Sequence, residues 1–133
     1  MILCLKTADQ TAQIWLMTDD RAPDPERPNV SWESGRQLSN ELLDRLVQLV
    51  ESSSHQLSDI TGLVIFSGPG SFTSLRIGHT VLNALADSLS IPVVGAQGDS
   101  WLADGIEAVA KAKPGQPALP EYGAEAHITR PKA

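Results

Sequence analysis

Gly62-Leu63-Val64-Ile65-Phe66-Ser67-Gly68-Pro69-Gly70-Ser71 is the stretch whose reading decides the fold. Its first half is a short, uncharged apolar run rich in β-branched residues, the pattern of a strand buried on both faces. A tight turn must follow. Gly68 and Gly70 reach backbone angles that other residues resist, Pro69 fixes one dihedral, and Ser71 is a good N-cap for a helix. A helical pattern then runs over 71–89. Leu75, Gly78, Leu82, Leu85, Ala86 and Leu89 recur at three- and four-residue intervals on one face, which Ile77, Val81 and Ala84 widen. Thr73, Arg76, Thr80, Asn83 and Asp87 form a polar stripe opposite, and Gly78 is small enough to let another backbone come close.

Working outward, residues 2–6 and 12–18 read as two strands joined by a short turn at Ala8-Asp9-Gln10, hence a hairpin. Residues 19–28 hold Pro23, Pro25 and Pro28 and are a loop. Asn29-Val30-Ser31-Trp32-Glu33 alternates like a half-exposed strand at a sheet edge. A helix is expected over 37–51, with Leu38, Leu42, Leu46 and Leu49 on one line and Leu43, Val47 and Val50 on the next. After the organising helix, residues 90–95 form a short buried strand, and a third helix starts at Asp99-Ser100-Trp101. The order βββαβαβα predicts an α/β domain over 1–112 with a mixed five-stranded sheet, antiparallel at its start and parallel afterwards. Residues 113–133, with Pro114, Pro117 and Pro120, form an irregular Pro-rich C-terminal tail.

The 133 residues suffice for one domain that buries roughly two-thirds of its unfolded surface. Hydrophobic content of 41% and charged content of 20% are those of a globular protein. The net charge of -6 and the lack of any basic run disfavour strong direct binding of RNA or DNA. Cys4, the single cysteine, forms no internal disulfide and reads as a small buried hydrophobe. Nothing resembles a signal peptide or a membrane span, so a cytoplasmic protein is expected.

The glycine turn invites a phosphate-loop reading, because exposed amides at a helix start attract anions. It carries no lysine at the loop's end, however, and Thr73 stands where a dinucleotide fingerprint needs its last glycine. His55, His79 and His127 are scattered, so no metal-ligand spacing exists and no metal or cofactor is expected. Ser67 or Ser71 as a nucleophile would need a placed base, and only His79 is near in sequence. Arg76 could clamp a phosphate or carboxylate, although a solvated arginine is commoner. Asp9 suits a turn better than acid catalysis.

Gly68-Pro69-Gly70-Ser71-Phe72-Thr73-Ser74-Leu75-Arg76-Ile77-Gly78 resembles the signature of the TsaB family, partner subunits in the synthesis of threonylcarbamoyladenosine in tRNA. The usual form there is Gly-Pro-Gly-Ser-Phe-Thr-Gly-Leu-Arg-Ile-Gly, so only Ser74 departs from it. The resemblance extends over about 1–110, including Thr7-Ala8 after the first strand, the Leu57-Ser58-Asp59-Ile60 lead-in and Ile91-Pro92-Val93-Val94-Gly95. It implies an actin-like or sugar-kinase-like (ASKHA) fold, of which this chain holds only the first of two lobes. Starting at Met1 and keeping Pro120-Glu121-Tyr122, similar to the family's C-terminal end, the chain is expected to be a natural short form.

Two further departures stand out. Lys6 occupies a place where the family has an aspartate, and Leu38-Ser39 replaces a His-Ser pair. In related enzymes an acid at the first place helps to hold metal and phosphate, which lysine cannot do. The resemblance therefore implies a non-catalytic scaffold that docks a TsaD-type catalytic homologue through its helices, with a TsaE-type ATPase joining the complex and homodimerisation through the same helices as an option. Leu38, Leu42, Leu46, Leu49, Arg76, Val81, Leu85 and Leu89 are the expected interface set, divided between core and contact surface. Two alternatives remain open: a small phosphate-binding or peptidase-like enzyme using Ser71, Thr73 and Arg76, and a short paralogue that binds the catalytic subunit and blocks it.

Overall fold

The computed structural model describes residues 1–121. Strand β1, Ile2–Lys6, turns back antiparallel onto β2, Thr11–Met17, with Cys4 opposite Trp15. The Asp9 carboxylate accepts the Thr11 amide at 2.8 Å and closes that turn, so β2 begins and ends one residue earlier than periodicity suggests. Strand β3, Val30–Glu33, pairs antiparallel with β2 at the sheet edge, as expected of its half-exposed pattern. Asn29 stays outside it, its side-chain oxygen accepting the Leu16 amide at 2.9 Å.

Strand β4, Gly62–Phe66, lies parallel to β1 and is buried at every position, and β5, Val93–Ala96, lies parallel to β4. The sheet order is β3-β2-β1-β4-β5. Helix α1, Leu38–Ser52, follows a 3-10 turn at Gly35–Gln37; α2, Phe72–Leu89, links β4 to β5; α3, Trp101–Val109, follows β5. β5 starts three residues later than expected because residues 90 and 91 terminate α2. Ser90 takes a left-handed conformation, φ 56°, and the Ile91 amide reaches back to the Ala86 carbonyl at 3.0 Å. Ser100 occupies the N-cap position of α3, but its side chain makes no cap hydrogen bond.

Alternation along the central strands sends side chains to two different layers. Leu3 and Leu5 of β1 and Leu63 and Ile65 of β4 meet α1 and α2 on one face. Cys4, Val64 and Phe66 meet α3 on the other, together with Trp15 of β2. There Trp101 stands edge-on to both Trp15 and Phe66, at centroid distances of 5.3 and 5.6 Å. Gly105 lets α3 sit against Val64, where an added Cβ would strike a valine methyl. Burial pushes the Cys4 thiol up to about 12, so it stays protonated and packs as a hydrophobe.

Beyond α3 the chain is irregular from residue 113 to 121 and folds back onto α2, where Ala118 is buried. The rest of the expected tail, including Tyr122 and His127, lies outside the described residues.

Leu42 has no exposed surface and Leu43, its neighbour, is 51% exposed, which makes a matched pair. Leu42→Ala is expected to cost about 2–5 kcal/mol of stability, and Leu43→Ala to stay within about 0.5 kcal/mol, both read from urea unfolding curves.

Candidate functional site

The glycine connector sits at the C-terminal end of the parallel strands, where open α/β sheets usually build their sites. It is wedged between two other segments. On one side the Ser67 amide and hydroxyl both donate to the Ala96 carbonyl, at 2.9 and 3.2 Å, and the Ser67 carbonyl accepts the Glu121 amide at 2.6 Å. Gly68 has φ +120°, and an added Cβ would run into the Glu121 carbonyl. On the other side the Ser71 amide donates to the Ala8 carbonyl at 2.7 Å, and a Cβ on Gly70 would come within 2.5 Å of that same oxygen. The Gly68–Pro69 peptide is cis.

Ser71 caps α2 as its residue type predicts, its hydroxyl accepting the Ser74 amide at 3.4 Å. One turn on, the fully buried Thr7 hydroxyl donates to the Ser74 carbonyl at 2.9 Å. Thr7 can reach it only because Gly78 has no side chain, since a Cβ there would meet the Thr7 hydroxyl. The signal for this contact lay in Gly78 itself, because glycine inside a helix costs about 1 kcal/mol relative to alanine and asks for a packing reason. The partner residue was not readable from spacing.

Of the remaining motif residues, Leu75 is buried, Ile77 is half-buried, and Phe72, Thr73 and Arg76 are exposed. The Arg76 guanidinium lies 5.9 Å from the Phe72 ring centroid, within cation–π range. The Lys6 ammonium sits 4.6 Å over the Phe66 ring, so at the end of β1 it rests on an aromatic face. Both connector serines thus spend their hydroxyls on backbone groups.

His79 is 3% exposed, and its Nδ1 lies 2.7 Å from the Leu75 carbonyl, which assigns the proton to Nδ1. Its Nε2 is buried with no hydrogen-bond partner among the described residues. Burial holds its pKa below the ordinary 6.5, a shift the Leu75 hydrogen bond partly offsets. Among the described residues no cluster of three His, Cys, Asp or Glu side chains could hold a metal ion.

The expected interface set divides clearly. Leu38, Leu42, Leu46, Leu49 and Leu85 are core side chains of the single chain, at most 9% exposed, because the inward line of each helix is taken up by the sheet. They leave a partner almost no area. Val81 and Leu89 are half-buried and Arg76 is exposed. Periodicity placed Leu43 on the second apolar line of α1, and it proves to be among the most exposed large hydrophobic side chains, with Phe72 at 53%. Asn83, read only as part of a polar stripe, donates to the Ala118 carbonyl and accepts the Ala118 amide, both at 2.9 Å.

A family model described as TsaD: tRNA N6-adenosine threonylcarbamoyltransferase matches residues 32–119, more than half of the chain. The tRNA threonylcarbamoyladenosine biosynthesis protein TsaB of Escherichia coli (strain K12) is 29% identical over 105 residues, covering 78% of this chain and 43% of that protein. The tRNA N6-adenosine threonylcarbamoyltransferase of Syntrophus aciditrophicus (strain SB) is 40% identical over 50 residues, 38% of this chain and 15% of that protein. Among solved structures, a Pseudomonas aeruginosa protein described as similar to the peptidase YeaZ superposes with TM-score 0.64 at 26% identity, covering 72% of this chain and 42% of that one. YeaZ from Pseudomonas aeruginosa matches in fold with TM-score 0.63 at 24% identity, over 84% of this chain and 50% of that one. The chain therefore spans half or less of the length of these relatives.

The histidine gives a pH signature. Its folded pKa lies below its unfolded value, so the unfolded chain binds the extra proton and stability is lost as pH falls through about 6.5. Between pH 7.5 and 5.5 the unfolding free energy read from urea curves should fall as the pH drops, and His79→Gln should flatten that dependence.

Proposed function

Because the chain belongs to the TsaD family and is homologous to TsaB/YeaZ proteins, we propose that it acts in tRNA threonylcarbamoyladenosine synthesis as a non-catalytic scaffold that docks a TsaD-type catalytic subunit. The observation that carries this reading is the apolar surface that α1 and α2 keep accessible after their inner faces are filled. Leu43 and Val47 are one turn apart on α1, and Ile77, Val81 and Leu89 lie along one side of α2. All are at least partly accessible, and Leu43 and Phe72 are each more than half exposed. The docking face takes these together with Arg76, while the buried Leu38, Leu42, Leu46, Leu49 and Leu85 set its shape from beneath. A TsaE-type ATPase would join the assembled complex, and self-association through the same ridge would occur when the catalytic partner is absent.

The chemistry of the connector favours scaffold over enzyme. Its serines are tied to the Ala96 carbonyl and to the first turn of α2, the nearest histidine is bound to its own helix backbone, and the ammonium of Lys6 rests on an aromatic ring. Among the described residues, neither a base-activated nucleophile nor a carboxylate aimed at a phosphate is assembled there. No helix among the described residues is long and apolar enough to cross a membrane, and a cytoplasmic setting fits the modification of tRNA.

Size-exclusion and titration against the cognate TsaD-type protein should give a complex at micromolar concentration. Leu43→Asp should weaken it at least tenfold, about 1.4 kcal/mol, with unfolding unchanged because the side chain is exposed. Binding of ATP with magnesium by the isolated chain would instead favour the enzyme reading. Complementation of a strain lacking its own TsaB separates a scaffold, which restores modification, from a blocking paralogue, which binds and does not.

A further inference from the structure

Residues 116–121 lie across the C-terminal end of β4 and β5 like a strap, and few contacts with the other described residues hold them. Ala118 is the one side chain of the strap that is buried; Gln116, Pro117, Leu119 and Glu121 are exposed, with Leu119 at 71%. Attachment runs through the backbone. The Asn83 carboxamide makes a two-way pair with Ala118, as a neighbouring strand would, and the Glu121 amide donates to the Ser67 carbonyl. Cavities flank the strap on both sides. One of about 280 Å³ lies between it and Asn83, Ala86 and Ile91, and another of about 450 Å³ lies between it and the Val93–Ala96 strand. A segment that the described residues hold by a few main-chain bonds and one small apolar contact opens at low local free energy. The approach is equally free, because Lys113, Pro114 and Gly115 are exposed and Gly115, at φ +102°, has nothing within 4 Å of an added Cβ.

We infer that the groove formed by Asn83, Ser67 and Gly95 is a docking site for an extended chain segment with a small residue at its centre, and that a second copy of this chain supplies its own residues 116–121 there in exchange. The second copy is the occupant because its segment is the one whose fit is already shown: the groove reads main chain through Asn83 and Ser67 and admits a methyl group beside Gly95, whose added Cβ would stand 3.9 Å from that of Ala118. Exchange of an identical element at an open hinge needs no new contact. It competes with the intramolecular seat, whose effective concentration is in the millimolar range for so short a connection, so exchange grows in as protein concentration nears that range. Asn83 lies roughly 200° around α2 from Val81, given about 100° per residue, so the groove faces away from the Ile77–Val81 part of the proposed docking ridge and shares a stripe with Phe72 and Arg76 at its edge; the exchange needs no TsaD-type partner.

Engineered cysteines report the exchange, because Cys4 is buried with its thiol pushed up to about 12. Gly95→Cys with Ala118→Cys in one chain should close within that chain, since the 3.9 Å between their Cβ positions suits a disulfide. Mixing the two single variants should then give a covalent heterodimer at least about tenfold faster than pairing Gly95→Cys with Lys111→Cys, a contrast set by groove occupancy rather than collision. Equal rates for the two mixtures, or no closure in the double variant, overturn the inference. Gly95→Cys brings a Cβ to 3.2 Å from that of Ser67, so the unsubstituted chain supplies a second measurement. Isotope-filtered NMR on mixed labelled and unlabelled protein at millimolar concentration should show contacts between Ala118 of one copy and Asn83 of another, and their absence overturns the exchange.

Discussion

The structure depends on one close approach, that of the turn after β1 to the start of α2. The Ala8 carbonyl accepts the Ser71 amide, backbone to backbone, and the Thr7 hydroxyl donates to the Ser74 carbonyl, side chain to backbone. Gly70 and Gly78 are the positions that make room. Since β1 is the central strand and α2 spans from β4 to β5, these bonds tie the antiparallel hairpin to the parallel half of the sheet. The signature glycines are therefore explained by steric need before any ligand is invoked.

That clamp also decides what the connector is free to do. A phosphate-binding loop presents amides to solvent and keeps a cation at hand. Here the Ser71 amide is spent on Ala8, the Ser67 amide on Ala96, and Pro69 has none to give. The polar groups that an enzyme would aim outward are used to hold three chain segments together. Phe72, Arg76 and the accessible row on α1 and α2 face outward beside exposed polar residues such as Thr73 and Thr80, a mixture that suits contact with another protein.

Burial on the two faces of the sheet is unequal in kind. The α1/α2 face is aliphatic and deep, while the α3 face is closed by Trp15, Phe66 and Trp101 in edge-on contact. Few aromatic residues in a chain of this length would suggest a soft core, yet two tryptophans and a phenylalanine concentrated at one spot hold a nine-residue helix against the sheet. Leu43 and Leu42 show the same economy on the other face, where neighbouring leucines have opposite duties.

The amino-acid sequence alone determined the α/β layout, the order of elements, the edge position of β3, the doubly buried β4 and the capped start of α2, because hydrophobic period, proline and glycine placement and capping chemistry are local properties. It also carried the family resemblance, through a run of residues that are contiguous. Tertiary structure decided the rest. Which leucines face the sheet and which face solvent depends on helix rotation, set by packing. Thr7 meets Ser74, and Asn83 meets Ala118, across 67 and 35 positions of chain, and no periodicity within one element encodes a hydrogen bond between two.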